Sequence, residues 1–348
     1  MKQLDYIVVG LGIAGISFCE QLKANNRSFI VFDDASQKSS TVAGGLYNPV
    51  VLKRFTAVWK SEAQLDLALP MYANLEEELQ VKLDYKIPVY RKFASLEEQN
   101  NWFSASDNPS LARFLSPTIV KNSNPYIDAP FGFGEVLHTG RIDVRTMIEA
   151  YKLDLRKSGV LVEGSFTYET LQMESDKMQY KGFQASHIVF SEGFGVTKNP
   201  YFKDLPLNPA KGELLVIYAP ELNMEFVLKA GVFLIPLEDD RYIVGATYEW
   251  KELTNTVSDK AKNTLLDKLK KLIDCPFEVV NQLAGVRPTV KDRRPLVGRH
   301  DIHKHMYVLN GLGTRGVMIG PYVAKQLYEY IEHSQPLEMD IDIARFKL

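Results

Sequence analysis

The apolar positions change period within the first 33 residues, and the change marks a strand, a turn, a helix and a second strand. Tyr6 to Val9 form a short β-branched run, Ile13 to Lys23 carry apolar residues at helical spacing, and Phe29 to Phe32 form another apolar run. Further along, "SEAQLDLALPMYANLEEELQ" (61 to 80) has helical spacing interrupted at Pro70, and "SLEEQNNWF" (95 to 103) opens with a Ser95 to Glu98 capping box. "KGELLVIYA" and "RYIVGATYEW" read as strands, followed by a lysine-rich helix from about Ser258 to Ile273. "MYVLNGLGTRGVMIGPYVAKQLYEYI" closes the pattern as a strand, a glycine-rich turn and a helix running to about Ile331. Helices and strands interleave, with no internal repeat or low-complexity linker. An α/β (α+β) chain of 348 residues then suits roughly two domains, interlocked and not strung in series.

The first turn carries chemistry. Gly10, Gly12 and Gly15 supply GxGxxG between strand and helix. The first permits the tight turn, the second lets a pyrophosphate approach the backbone, and the third lets helix and strand pack closely. The N-terminus of the helix, at Ile13 and Ala14, offers free N–H groups to phosphate. Asp33 ends the second strand about 20 residues on, where a carboxylate accepts hydrogen bonds from ribose hydroxyls. Asp34 takes that place if the strand ends one residue later. The unit is a Rossmann-type dinucleotide site, which FAD and NAD share, and the acidic residue argues against a 2′-phosphate. Small residues in "SSTVAGGLYNPVV", with Thr41, Gly45 and Leu46, would let backbone pass close to a flat ligand. Gly313, Thr314, Gly316 and Val317 open the last helix, where free N–H groups could stabilise negative charge on a reduced flavin.

A composition of 45% hydrophobic and 24% charged residues is that of a globular protein. The net charge of −2 gives no global case for nucleic acid or an anionic membrane. The local exception, Lys291 to His305, reads as a solvated basic surface. Cys19 and Cys275 have no metal-ligand or CxxC spacing. The opening residues are unlike a secretory segment, and no apolar run approaches ~18 residues. The expectation is a soluble, cytoplasmic protein without a metal.

Several segments, in order, resemble the D-amino-acid oxidase superfamily of FAD enzymes, which includes glycine oxidase and sarcosine oxidase. They are the Rossmann opening, "SSTVAGGLYNP", "GRIDVRTMIEAY", "HIVFSEGFG", "YIVGATYEW", "AGVRPTVKDRRPLVGR" and "GLGTRG". "GATYEW" and "LGTRGVMIGP" are also similar to the oxidase half of the bifunctional tRNA 5-methylaminomethyl-2-thiouridine biosynthesis protein. The resemblance implies non-covalent FAD in a glutathione-reductase-type domain made from residues 1–60, 136–205 and 284–348. Residues 61–135 and 206–283 would form an antiparallel-sheet substrate domain over the flavin. Gly193 would pass near the ADP moiety, and Val162 either contacts adenine through its backbone or simply packs.

The resemblance further implies that Arg287, in "AGVRP", pairs with a substrate carboxylate. Hydride transfer from the adjacent carbon to flavin would give an imine that water hydrolyses, and O2 would reoxidise the flavin. From the residues alone, the expected role of Arg287 is structural, capping a loop or pairing with Asp292 as an ion pair, and only the resemblance turns the balance to substrate. Arg315 is a second candidate at the flavin edge or else structural, and Tyr248 lines the pocket or belongs to the core. Phe233 stands where glycine oxidases tend to have a pocket tyrosine, which puts glycine itself in doubt. Cys275 does not match the position of covalent flavin attachment. The expected substrate is a small amino acid or N-substituted glycine. A carboxymethylated tRNA uridine is the alternative, and a non-catalytic FAD redox module the other rival.

Overall fold

The computed structural model describes residues 1–174 and 177–346. Two eight-stranded sheets organise the chain. The first is built on Lys2–Val9, which pairs in parallel with Phe29–Asp33 on one side and Phe183–Phe190 on the other. Leu161–Glu163 extends one edge and Met306–Asn310 pairs in parallel with Phe183–Phe190. Strands buried on both faces read as continuous apolar runs, as Tyr6 to Val9 do. The helices Ile13–Ala24, Val144–Lys157 and Gly316–His333 pack on this sheet.

The second sheet runs Glu278–Arg287, Ala210–Tyr218, Arg241–Gly245, Phe233–Pro236, Val227–Lys229, Val89–Lys92, Phe133–Val136, Leu115–Val120. All its neighbours are antiparallel except Val227–Lys229 beside Val89–Lys92. One face buries Leu215, Leu228, Leu234 and Val244 with Leu265 and Leu269 of the Asp259–Leu269 helix. The opposite face carries Gly212, Leu214, Phe233, Ile243 and Arg287 and is turned to a large cavity. The architecture is therefore a Rossmann-like domain joined to an antiparallel-sheet domain, the chain crossing between them more than once.

Two local readings change. Ser61–Leu79 is one helix through Pro70. The acceptor that Pro70 leaves without its N–H partner belongs to exposed Asp66, where water can reach it, while Leu65, Ala68, Tyr72 and Leu75 bury the helix in the core. Ala284 to Arg287, expected in the FAD-binding segment, form the end of a strand in the second sheet, paired with Ala210 to Glu213. The capping box forms in modified shape: the Glu98 N–H donates to Ser95 Oγ (3.2 Å), and the Glu98 carboxylate accepts from the Ala94 N–H (2.7 Å) and pairs with Arg91.

Candidate active site

A single cavity of about 890 Å³ runs from the glycine turn of the first sheet to the open face of the second. At one end the Gly10 to Gly12 turn leads into the Ile13–Ala24 helix, whose N-cap Gly12 has no side-chain bond. Gly15 does not line the cavity; a Cβ there would stand 2.0 Å from the Gly10 carbonyl oxygen, so glycine is required for the helix to lie against the turn. The Ile13 N–H donates to Ser40 Oγ (3.3 Å), and Ala14 keeps a free N–H as a first-turn residue.

Asp33 is the last residue of its strand, as expected, and Asp34 follows it. Asp33 accepts from the Leu11 N–H (3.0 Å) and from Lys152 Nζ (2.5 Å), which ties the glycine turn to the acidic residue. Asp34 turns to Ser36 N–H (2.9 Å) and Ser165 Oγ (2.9 Å). Both line the cavity, with Thr41, Gly45, Leu46 and Gly193. Val162 does not: it sits on an edge strand opposite Phe32, packed against the apolar cluster, and Gly164 to Phe166 form the wall instead. Lys152 and Ser165 went unread in the sequence because nothing local marks them, and Ser40 was read only as a small residue of "SSTVAGGLYNPVV"; the Val144–Lys157 helix and the turns bring them in.

Glu192 closes this end. It accepts from Asn199 Nδ2 (2.7 Å) and the Tyr168 hydroxyl, and burial raises its carboxyl to about 7 against the lowering effect of those bonds.

The Gly316–His333 helix also begins at the cavity wall. Gly313, Thr314, Gly316 and Val317 line the wall, and its N-cap, Arg315, has no side-chain capping bond. Gly316 and Val317, in the first turn, present N–H groups without intrahelical acceptors. The cavity thus brings together the glycine turn, Asp33 and the N-terminus of the Gly316–His333 helix, the features expected to meet pyrophosphate, ribose and an anionic ring edge. Those donors fit FAD, and neither cysteine is in the cavity wall.

Arg287 occupies the second sheet's side. The guanidinium donates to the Thr247 carbonyl (3.3 Å) and lies 4.8 Å from the centre of the Tyr248 ring. A Cβ at Gly212, on the neighbouring strand, would stand 1.9 Å from Arg287 Nη2; only glycine leaves the space. Burial lowers the Arg287 pKa, with Tyr248 acting in the opposite sense, and no carboxylate faces it among the described residues. The alternative ion pair does not form. Asp292 binds Arg345 instead (3.0 Å) and accepts from the Arg294 N–H. Arg315 is likewise half-buried and without a carboxylate among the described residues; burial lowers its pKa, and Arg293 adds to the effect while Tyr248 opposes it. Tyr248 is no core residue: it is 55% exposed and stacks on Trp250, 6.0 Å between ring centres. Phe233 lines the cavity as an apolar ring.

A dinucleotide-binding domain joined to a sheet that presents a free arginine to the same cavity defines a flavin-dependent oxidoreductase. The chain belongs to the family of FAD-dependent oxidoreductases, whose family model matches residues 5–330. Glycine oxidase of Bacillus subtilis (strain 168) is 22% identical over 355 residues, 96% of this chain and 94% of that protein. The tRNA 5-methylaminomethyl-2-thiouridine biosynthesis bifunctional protein MnmC of Azoarcus sp. (strain BH72) is 25% identical over 98% of this chain, which spans 60% of that protein. Among solved structures, glycine oxidase from Geobacillus kaustophilus superposes with a TM-score of 0.81 at 18% identity, covering 100% of this chain and 99% of that one. Iminodiacetate oxidase from Chelativorans sp. BNC1 gives 0.76 at 18% identity, with 96% of each chain covered. These structures share the fold. No helix among the described residues is long and apolar enough to cross a membrane.

Proposed function

We propose that the protein oxidises the C–N bond of a small amino acid or N-substituted glycine, with FAD held non-covalently and O2 as the acceptor of the electrons. The observation that carries this reading is Arg287: a half-buried cation on the cavity wall, held by Thr247 and Tyr248, with no carboxylate of its own. A planar guanidinium binds a carboxylate through two parallel bonds, which fixes position and rotation together. Bound FAD supplies a two-electron acceptor for the hydrogen on the carbon next to nitrogen. The chain's own residues orient that carbon. Arg287 holds the carboxylate, Phe233, Leu214 and Ile243 offer an apolar wall, and the first turn of the Gly316–His333 helix favours negative charge opposite. The substrate reacts as the free amine, so the ammonium proton must leave first, and no dedicated base is needed on the wall.

The test is anaerobic. The yellow protein is mixed with glycine, sarcosine, proline and D-amino acids, and loss of flavin colour is followed for the wild type and Arg287→Met. Bleaching that Arg287→Met suppresses supports the reading, and bleaching that Arg287→Met leaves untouched refutes it.

A second reading draws on the exposed Tyr248 and Trp250 pair at the cavity mouth, a stacking surface for a base. It makes the substrate a carboxymethylaminomethyl uridine of tRNA, bound through the same Arg287. The net charge of −2 weighs against an RNA ligand, since RNA affinity rests on neutralised phosphates. Adding the free modified nucleoside to the bleaching panel separates the two.

A further inference from the structure

Lys229 ends the Val227–Lys229 strand and lines the same cavity as Arg287. Across the ladder Lys229 stands opposite Phe233, Phe233 opposite Gly245, Gly245 opposite Leu214, and Leu214 opposite Leu283. Directly opposed residues share a face, and Arg287 lies an even number of residues beyond Leu283, so the two cations rise from one face of the sheet. Four strand spacings across the sheet and four residues along the last strand separate them, on the order of 23 Å between backbones before the long side chains lean inward. Phe233, Ile235, Ile243 and Leu214 pave the interval.

The Lys229 ammonium is 4.3 Å from the centre of the Phe233 ring. Its charged surroundings are cations, Arg91 on the neighbouring strand and Lys268 on the helix behind; burial foremost, and these charges after it, bring its pKa down to about 8. Arg91 is already paired with Glu98. Lys229 therefore keeps its charge at neutral pH in a half-buried place where no carboxylate of the described residues faces it. A partly desolvated cation without a counter-ion is costly, and a ligand that supplies one recovers that cost.

We propose that Lys229 is a second anion anchor, and that the substrate is an amino acid or N-substituted glycine carrying a further carboxylate at the end of an alkyl arm. This rests on the reading in which Arg287 holds the first carboxylate. The apolar paving between the cations takes the methylenes of the arm. Glycine and sarcosine leave Lys229 unpaired and Phe233 uncovered, so they would be poor substrates.

The test uses ligands that cannot be oxidised at nitrogen. Methylthioacetate, with one carboxylate, is compared with (ω-carboxyalkylthio)acetates whose arms contain one, three and five methylenes. Binding to the FAD-loaded protein is read from the flavin absorbance, in the wild type, Lys229→Met and Lys229→Arg. At least one dicarboxylate should bind about tenfold or more tighter than methylthioacetate. That ratio should approach unity in Lys229→Met and survive in part in Lys229→Arg. Equal affinity for mono- and dicarboxylates in the wild type overturns the proposal, as does a ratio that Lys229→Met leaves unchanged. The corresponding amines are assayed alongside. Thioethers that discriminate while no amine reduces the flavin would sink amine oxidation and leave the anchor standing. Amines that reduce the flavin while the thioethers bind alike would do the reverse.

Discussion

The Arg287 guanidinium lies over the Tyr248 ring at 4.8 Å, and Tyr248 in turn stacks on Trp250. The ring face, and not the hydroxyl, is what steadies the cation. Tyr248→Ala should raise KM by about 3- to 30-fold, the range of a partly desolvated cation–π contact, while Tyr248→Phe should stay within about threefold of wild type. Steady-state kinetics on the best amine decide it, and equal losses in both variants would assign the effect to the hydroxyl.

Arg287→Met removes the cation proposed to grip the first carboxylate. We expect kcat/KM to fall by about 100-fold or more, with FAD content unchanged, because the cofactor end of the cavity is built from other segments. The ratio of flavin to protein absorbance checks retention, and kinetics check the loss.

Gly212→Ala tests the same grip without touching the arginine. Its methyl would occupy the space of the guanidinium, and overpacking of this kind costs about 1–3 kcal/mol if nothing yields. The exposed side of Arg287 lets the side chain swing away instead. The expected signature is a large rise in KM with little fall in Tm; an unchanged KM would mean the arginine binds equally well from its displaced position.

Glu192 predicts a pH effect of definite sign. Its carboxyl titrates near 7 in the folded protein and near 4.3 in an unfolded chain, so the fold holds more protons between those values. Its contribution is therefore most favourable below about pH 4 and is lost as pH rises through about 7. Glu192→Gln should flatten that part of the stability profile and make the protein more stable above pH 7, by up to about 3 kcal/mol. Denaturant titrations at pH 5 and pH 8 measure it, and parallel profiles for variant and wild type would contradict it.

The cofactor end was legible in the sequence because its signals are local: three glycines, a helix start and Asp33 lie within one strand-turn-helix-strand unit. The Gly316–His333 helix was legible for the same reason. What escaped depends on pairing between distant segments. Arg287 was singled out in the sequence, yet its place on the second sheet follows from a register with Ala210, 77 positions earlier in the chain by the pairing Ala210 to Arg287. Lys229 looks like an ordinary lysine after "VL"; only the ladder through Phe233 and Gly245 turns it toward the cavity. For Val162 the sequence left adenine contact and packing both open, and its place against the apolar cluster opposite Phe32 is the packing alternative.

Arg287 and the first turn of the Gly316–His333 helix belong to one C-terminal stretch, whereas Lys229 and Phe233 sit on a separate hairpin of the same sheet. On the proposed reading, the groups that hold the first carboxylate and face the flavin, and the groups that meet the far arm of the substrate, are thus different pieces of chain. If the proposal holds, exchanging residues on the Val227–Pro236 hairpin changes the arm that the cavity accepts and leaves the Arg287 strand and the Gly316–His333 helix as they are. A library confined to those ten positions then tests whether selectivity is set there.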